Sequence, residues 1–168
     1  MKVFKHFVQS PLYWIAVVAV GFGLEGVALF YQHVLNEPPC VLCIQARVWT
    51  LVGIIVAGLG LTVRKFFYAR ILAHLALIGA LIGLLNRSWI ALLVERGQYD
   101  GQCGMDPGFP TWLPLDSWFP NVFEVWTMCG YTPNLIAGLS MGEGLVYGVS
   151  VLIVIAVAAL VVDILNRK

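Results

Sequence analysis

Four stretches of this sequence stay apolar for roughly 20 residues, the length a helix needs to cross a hydrocarbon core. They cover residues 12–31, 41–63, 71–94 and 144–162, and each predicts a transmembrane helix. The first could be mistaken for a secretion signal, but its apolar run is too long and no small-residue cleavage site follows before Gln32, so it is expected to be retained. Repeated small residues, such as Gly79 and Gly83 four apart in the third span, would let helices approach closely. The expected architecture is an all-α membrane protein: one domain over residues 1–168, a four-transmembrane-helix bundle with outer loops at 32–40 and 95–143.

Composition agrees. Of 168 residues, 60% are hydrophobic and 11% charged, with mean hydropathy +0.87, whereas a soluble domain is about half apolar and a quarter charged. Ten basic residues against nine acidic ones leave no single-sign field for nucleic acid. High hydrophobicity with low charge is also the opposite of the signature of disorder.

The basic residues orient the spans. Lys2 and Lys5 precede the first, Arg64, Lys65 and Arg70 fall in the link between the second and third, and Arg167 and Lys168 follow the fourth. These seven lie on one side of a four-span chain, while the two outer loops carry Arg96 against a set of acids. The positive-inside rule then puts both termini in the cytoplasm and both loops outside.

The long loop is not a bland linker. Phe109, Trp112, Trp118, Phe119, Phe123 and Trp126 are interspersed with Pro110, Pro114 and Pro120, which forbid a long regular helix. Aromatics at this density suit the headgroup layer, so a short interfacial segment is expected there, the plainer alternative being a lid packed on the bundle.

Four cysteines supply the candidate chemistry. Cys40 and Cys43 form a Cys-x-x-Cys at the outer mouth of the second span, and Cys103 and Cys129 lie in the long loop, so all four face one compartment. If that compartment is a periplasm, it is oxidising. A helix starting near Pro39 puts the Cys-x-x-Cys at its N-terminus, where backbone N–H groups and the helix dipole stabilise a thiolate. No metal is expected, because the second pair lacks the Cys-x-x-Cys spacing of a zinc site and the loop has no histidine. Purely structural disulfides are the stronger rival, worth about 3 kcal/mol for a widely spaced pair, but a Cys-x-x-Cys ring is too small to constrain much.

Arg47 lies four residues beyond Cys43 on the same helix face, about 6 Å deeper at 1.5 Å per residue. An arginine inside a span is a functional hypothesis by default. Glu25 and Arg87 fall at similar depth in the first and third spans. The three are expected to form a charged floor beneath the thiols that holds a polarised, lipid-soluble electron acceptor. The plainer alternative is that Glu25 neutralises one arginine while the other reaches for the interface.

The residues carrying these features resemble one family. The string EGVALFYQH at 25–33, PCVLC at 39–43 with Arg47, Cys103, Phe109-Pro110, WLPLD at 112–116 with Trp118, and Cys129 together look like the DsbB family of bacterial disulfide bond formation proteins, over the whole chain. The resemblance implies an inner-membrane oxidoreductase that reoxidises a periplasmic thioredoxin-like, DsbA-type dithiol protein and passes the electrons to quinone, ubiquinone or menaquinone. It implies a Cys103–Cys129 disulfide attacked by the partner at Cys103, exchange with Cys40 and Cys43, and Arg47 beside the quinone. Two positions depart from the family pattern: Ala46 stands where many members carry Glu, and His74 is the last histidine, where some members have one ahead of the first loop cysteine. Proton-transfer roles at those positions do not carry over. From another class, the rival is a four-helix scaffold or transporter subunit with structural loop disulfides.

Overall fold

The computed structural model describes residues 10–99, 103–130, 133, 135 and 138–165. In chain order its helices are α1 (Pro11–His33), α2 (Val41–Val63), α3 (Phe67–Glu95), the four-residue α4 (Leu115–Trp118) and α5 (Pro120–Phe123), and α6 (Met141–Leu165). The four long ones are each long and apolar enough to cross a membrane. Phe22, Ile55, Leu72 and Val154 point outward, the inverse of a water-soluble bundle. The chain is a multi-pass membrane protein.

Three of the spans outrun their apolar cores. The second matches 41–63, but α1 covers 11–33, α3 starts at Phe67 instead of residue 71, and α6 covers 141–165. Helix ends are set by backbone geometry, which hydropathy does not see. Ser10 starts α1 by accepting from the Leu12 N–H at 3.2 Å, with Pro11 at the first helical position. Asn36, at φ 55°, then turns the chain back toward α2.

The extended α3 corrects one expectation. Arg70 is not in the link but in the first turn of α3, where its Nε lies 2.5 Å from an oxygen of fully buried Asp163 on α6. Its Nη1 also donates to the Arg64 carbonyl at 2.8 Å. A charge inside the span is tolerated because it is paired. Arg64 and Lys65 remain in the link, while Lys2, Lys5, Arg167 and Lys168 lie outside the described residues.

The helices pack in the order α1, α2, α3, α6. Close approach depends on three glycines: a Cβ on Gly21 would come within 2.5 Å of Ile54, one on Gly60 within 2.5 Å of Trp14, and one on Gly83 within 2.5 Å of Trp49. Of the anticipated Gly79 and Gly83 pair, only Gly83 takes a neighbour's side chain; Gly79 faces open space. The loop carrying α4 and α5 folds back over the end of the bundle where α1 ends and α2 begins, bringing together a cluster of Cys40, Val41, Leu42, Ile44, Phe123 and Val125.

Candidate functional site: a line of four thiols above a buried arginine

Pro38 and Pro39 hold the chain extended up to Cys40, which caps α2 at φ −87°, ψ 170°. With no helix yet formed, the Pro39 carbonyl is free to accept from the N–H groups of Trp126 at 3.0 Å and Thr127 at 3.4 Å, and Cys40 pairs with Thr127 in a parallel bridge. This short backbone splice sets Cys129 over the start of α2. Its thiol lies within hydrogen-bonding reach of both Cys40 and Cys103. Cys40 Sγ in turn lies 2.9 Å from Cys43 Sγ. None of the four is in a disulfide, and each thiol neighbours the next in one line: Cys103, Cys129, Cys40, Cys43.

The electrostatics of that line differ from the simple helix-terminus expectation. The hydrogen bond with Cys129 pulls the Cys40 pKa down, but the bond to Cys43 and burial outweigh it, and Cys40 is pushed up to about 12. Cys40 is therefore not a ready thiolate. Its protonated form is favoured, and its sulfur shares the 2.9 Å contact with the Cys43 sulfur. The Cys129 thiol is also held above its ordinary value, first by its bond to Cys40 and then by burial.

Below Cys43, Arg47 is buried. Its Nη1 donates to Gln32 Oε1 at 2.5 Å and to the Val122 carbonyl at 2.7 Å, and its Nη2 to the Ala28 carbonyl at 3.3 Å. Val122 belongs to α5, so the arginine holds the folded loop onto the bundle as well as lying under the thiols. The Nε–H is buried with no hydrogen-bond partner. Glu25 attracts Arg47 electrostatically, yet the guanidinium directs its hydrogen bonds to Gln32 and two carbonyls.

Cys43, Arg47, Glu25 and Arg87 all line one cavity of about 90 Å³, its other walls including Leu24, Leu42, Ala91 and Leu145. The structure thus brings together every residue singled out for the lower part of the site. A second cavity of about 260 Å³, lined almost wholly by apolar side chains, shares Leu24, Thr50 and Leu84 with the first.

The aromatic segment divides into two sets. Phe123 is buried and Phe109 packs edge-on against it, ring centroids 6.0 Å apart, in the cluster around Cys40. Trp112, Trp118, Phe119 and Trp126 stay exposed. The loop therefore has a packed face and an exposed aromatic face. Removing the buried anchor with Phe123→Ala should loosen the lid by about 3 kcal/mol, the low end for emptying a buried aromatic site. Hydrogen exchange at the Trp126 and Thr127 amides should speed up accordingly, while Trp118→Ser should leave those amides protected. Equal protection in both variants would contradict the division.

Three polar side chains on the site were not singled out from sequence. Gln32, 0% exposed, joins Arg47 to the lid by donating its Nε2 to the Asn121 carbonyl at 3.2 Å. His33 Nε2–H donates to the same carbonyl at 2.9 Å. Gln45 donates to the Pro107 carbonyl at 3.1 Å, tying down the loop that follows Cys103. A signal for Gln32 existed: it stands seven residues from Glu25 and so shares its helix face. The other two depend on where the loop lands, and nothing local announces it.

Comparison with known proteins bears on the whole chain. The profile of the disulfide bond formation protein DsbB family matches residues 10–160. A protein of Shewanella loihica named disulfide bond formation protein B is 33% identical across 100% of this chain and 99% of its own length. Disulfide bond formation protein B 2 of Pseudomonas aeruginosa is 35% identical over 79% of this chain and 80% of its own.

Proposed function

The chain belongs to the DsbB family of disulfide bond formation proteins, and from that premise we propose that it reoxidises a soluble DsbA-type dithiol protein and delivers the electrons to a quinone in the bilayer. Membership makes it a thiol–disulfide oxidoreductase; the scaffold reading has no support. The observation that carries the finer reading is the unbroken line of sulfurs ending above a cavity with a charged floor.

The relay is a series of exchanges. A partner thiolate attacks Cys103 in its disulfide with Cys129, and the partner's second thiol resolves the mixed disulfide, releasing Cys103 and Cys129 as thiols. Cys129, beside Cys40, then attacks Cys40 in its disulfide with Cys43, displacing the Cys43 sulfur as a thiolate above Arg47. Cys103 attacks Cys129, which restores the loop disulfide and frees Cys40. Two electrons and two protons now reside on Cys40 and Cys43. Quinone, when bound, supplies the two-electron oxidising power that restores their disulfide, and quinol is the product.

The residues fit such a ligand. The cavity offers apolar walls for a ring, and the unpartnered Arg47 Nε–H is a buried donor of the kind a polarised carbonyl oxygen accepts from. The guanidinium stabilises negative charge on the Cys43 sulfur or on a carbonyl oxygen. The adjoining apolar cavity offers space for a lipid-soluble group.

The same reading puts the protein in a bacterial inner membrane, both termini cytoplasmic and the thiols facing the periplasm, with exposed Trp112, Trp118 and Phe119 resting on the outer membrane surface. A thioredoxin-like protein lacking its second active-site cysteine, added to the outer face, should be captured as a mixed disulfide on Cys103. Capture that requires a permeabilised membrane would overturn the orientation, and capture on Cys129 would overturn the assignment of Cys103.

A further inference from the structure

The three acceptors that fix the Arg47 guanidinium are not equivalent. The Ala28 and Val122 carbonyls are backbone and survive any substitution; the Gln32 amide oxygen is the one side chain among them. That amide is used at both ends, its oxygen accepting from Arg47 Nη1 and its Nε2 donating to the Asn121 carbonyl. Rotating it by half a turn would set its NH₂ against the guanidinium and its oxygen against a carbonyl, two repulsive contacts, so one orientation is locked. Gln32 is also fully buried, and a partner lost there is not replaced by water. With both Nη atoms occupied, Nε–H is left as the buried, unpartnered donor of a side chain that lines the cavity under Cys43.

We propose that Gln32 is a positioning residue for the quinone site: its locked amide holds the Arg47 guanidinium so that the Nε–H remains available to the quinone carbonyl. This rests on the reading of Arg47 as a quinone-binding residue. Gln32 acts through Arg47 and does not itself touch the ligand. The same amide also holds Asn121, so it couples the arginine's orientation to α5, which His33 and Phe123 seat as well.

The test is a double-mutant cycle on quinone affinity, read by equilibrium dialysis of a short-chain quinone against the full-length, detergent-solubilised protein with both disulfides formed, so that no turnover occurs. Gln32→Met, close in shape but with neither hydrogen bond, should weaken binding by about 10- to 100-fold, the range for one hydrogen bond to a charged group. Gln32→Glu keeps an acceptor for Arg47 and gives up the donor to Asn121; it should bind within about 2-fold of the parent. The double variant Gln32→Met with Arg47→Ala should bind no more weakly than Arg47→Ala alone. Additive losses would overturn the proposal, as would Gln32→Glu binding as poorly as Gln32→Met, since the lid contact would then be what matters. If Arg47→Ala leaves affinity unchanged, the quinone reading of Arg47 itself fails; if Arg47→Ala weakens binding and Gln32→Met does not, that reading stands and the positioning role alone is refuted. Should Gln32→Met not fold, Gln32→Asn, which withdraws the acceptor by one methylene, takes its place with the same expectation.

Discussion

Cys43→Ser should abolish multiple turnover, lowering it by more than about 10⁴-fold, as loss of a covalent nucleophile does in other enzymes. The reason is positional. Among the four sulfurs, Cys43 is the one that lines the cavity with Arg47, and Cys40, held up to about 12, keeps its proton and is a poor substitute. The upstream part of the line should survive. In Cys43→Ser the loop disulfide between Cys103 and Cys129 can still form and still accept one electron pair from a reduced partner, giving a burst of one partner disulfide per protein and then nothing. Cys40→Ser should behave alike, because it removes the sulfur that lies between Cys129 and Cys43. Cys103→Ser should abolish the burst itself while leaving Cys40 and Cys43 oxidisable by quinone. Rapid mixing with a reduced thioredoxin-like protein, with the burst and the steady state recorded separately, distinguishes these cases; sustained turnover in any of the three would refute the relay.

Arg47→Ala should lower turnover at limiting quinone by about 10- to 1,000-fold, the range for losing a charge-stabilising donor, while single-turnover attack by the partner on the loop disulfide stays near normal. The lid should remain seated in this variant, because Gln32 and His33 still hold the Asn121 carbonyl and Phe123 remains packed. Arg47→Lys should recover part of the loss, since an ammonium keeps the charge but not the planar fork that spans Gln32, Val122 and Ala28. Were Arg47 merely the ion-pair partner of Glu25, the double change Arg47→Ala with Glu25→Ala would restore activity by removing both buried charges. The hydrogen bonds predict no such recovery, because they run to Gln32 and the two carbonyls. Recovery would assign Arg47 to structure and direct attention to Arg87, which lines the same cavity.

The four spans were legible because a bilayer demands long apolar runs, and hydropathy reports those directly. Their ends were less so. Arg70 looked like link sequence since a charge ends an apolar window, and its partner Asp163 stood one residue beyond the expected end of the fourth span, so neither suggested the other. Within the site, Cys40, Cys43 and Arg47 could be placed together because helical spacing is local. That Cys129 reaches Cys40 could not, since it depends on the Pro39 carbonyl accepting from Trp126 and Thr127 across a gap of almost ninety residues. The same limit applies to Arg47. Its depth in the span was readable, whereas its grip on Val122 requires knowing that α5 folds back over α1 and α2. The raised pKa of Cys40 likewise comes from the Cys43 sulfur and burial, which outweigh the lowering by Cys129 and which a helix-terminus argument leaves out.

The central claim is that thiol electrons entering at the loop leave through quinone. Purified protein, a reduced thioredoxin-like partner in excess and a short-chain quinone, with the loss of quinone absorbance followed alongside partner thiols, tests it most directly. The account predicts one quinone consumed for every partner disulfide formed, continuing for many turnovers and ceasing in Cys43→Ser. Partner oxidation that stops after the protein's own disulfides are spent, with quinone absorbance unchanged, would contradict it.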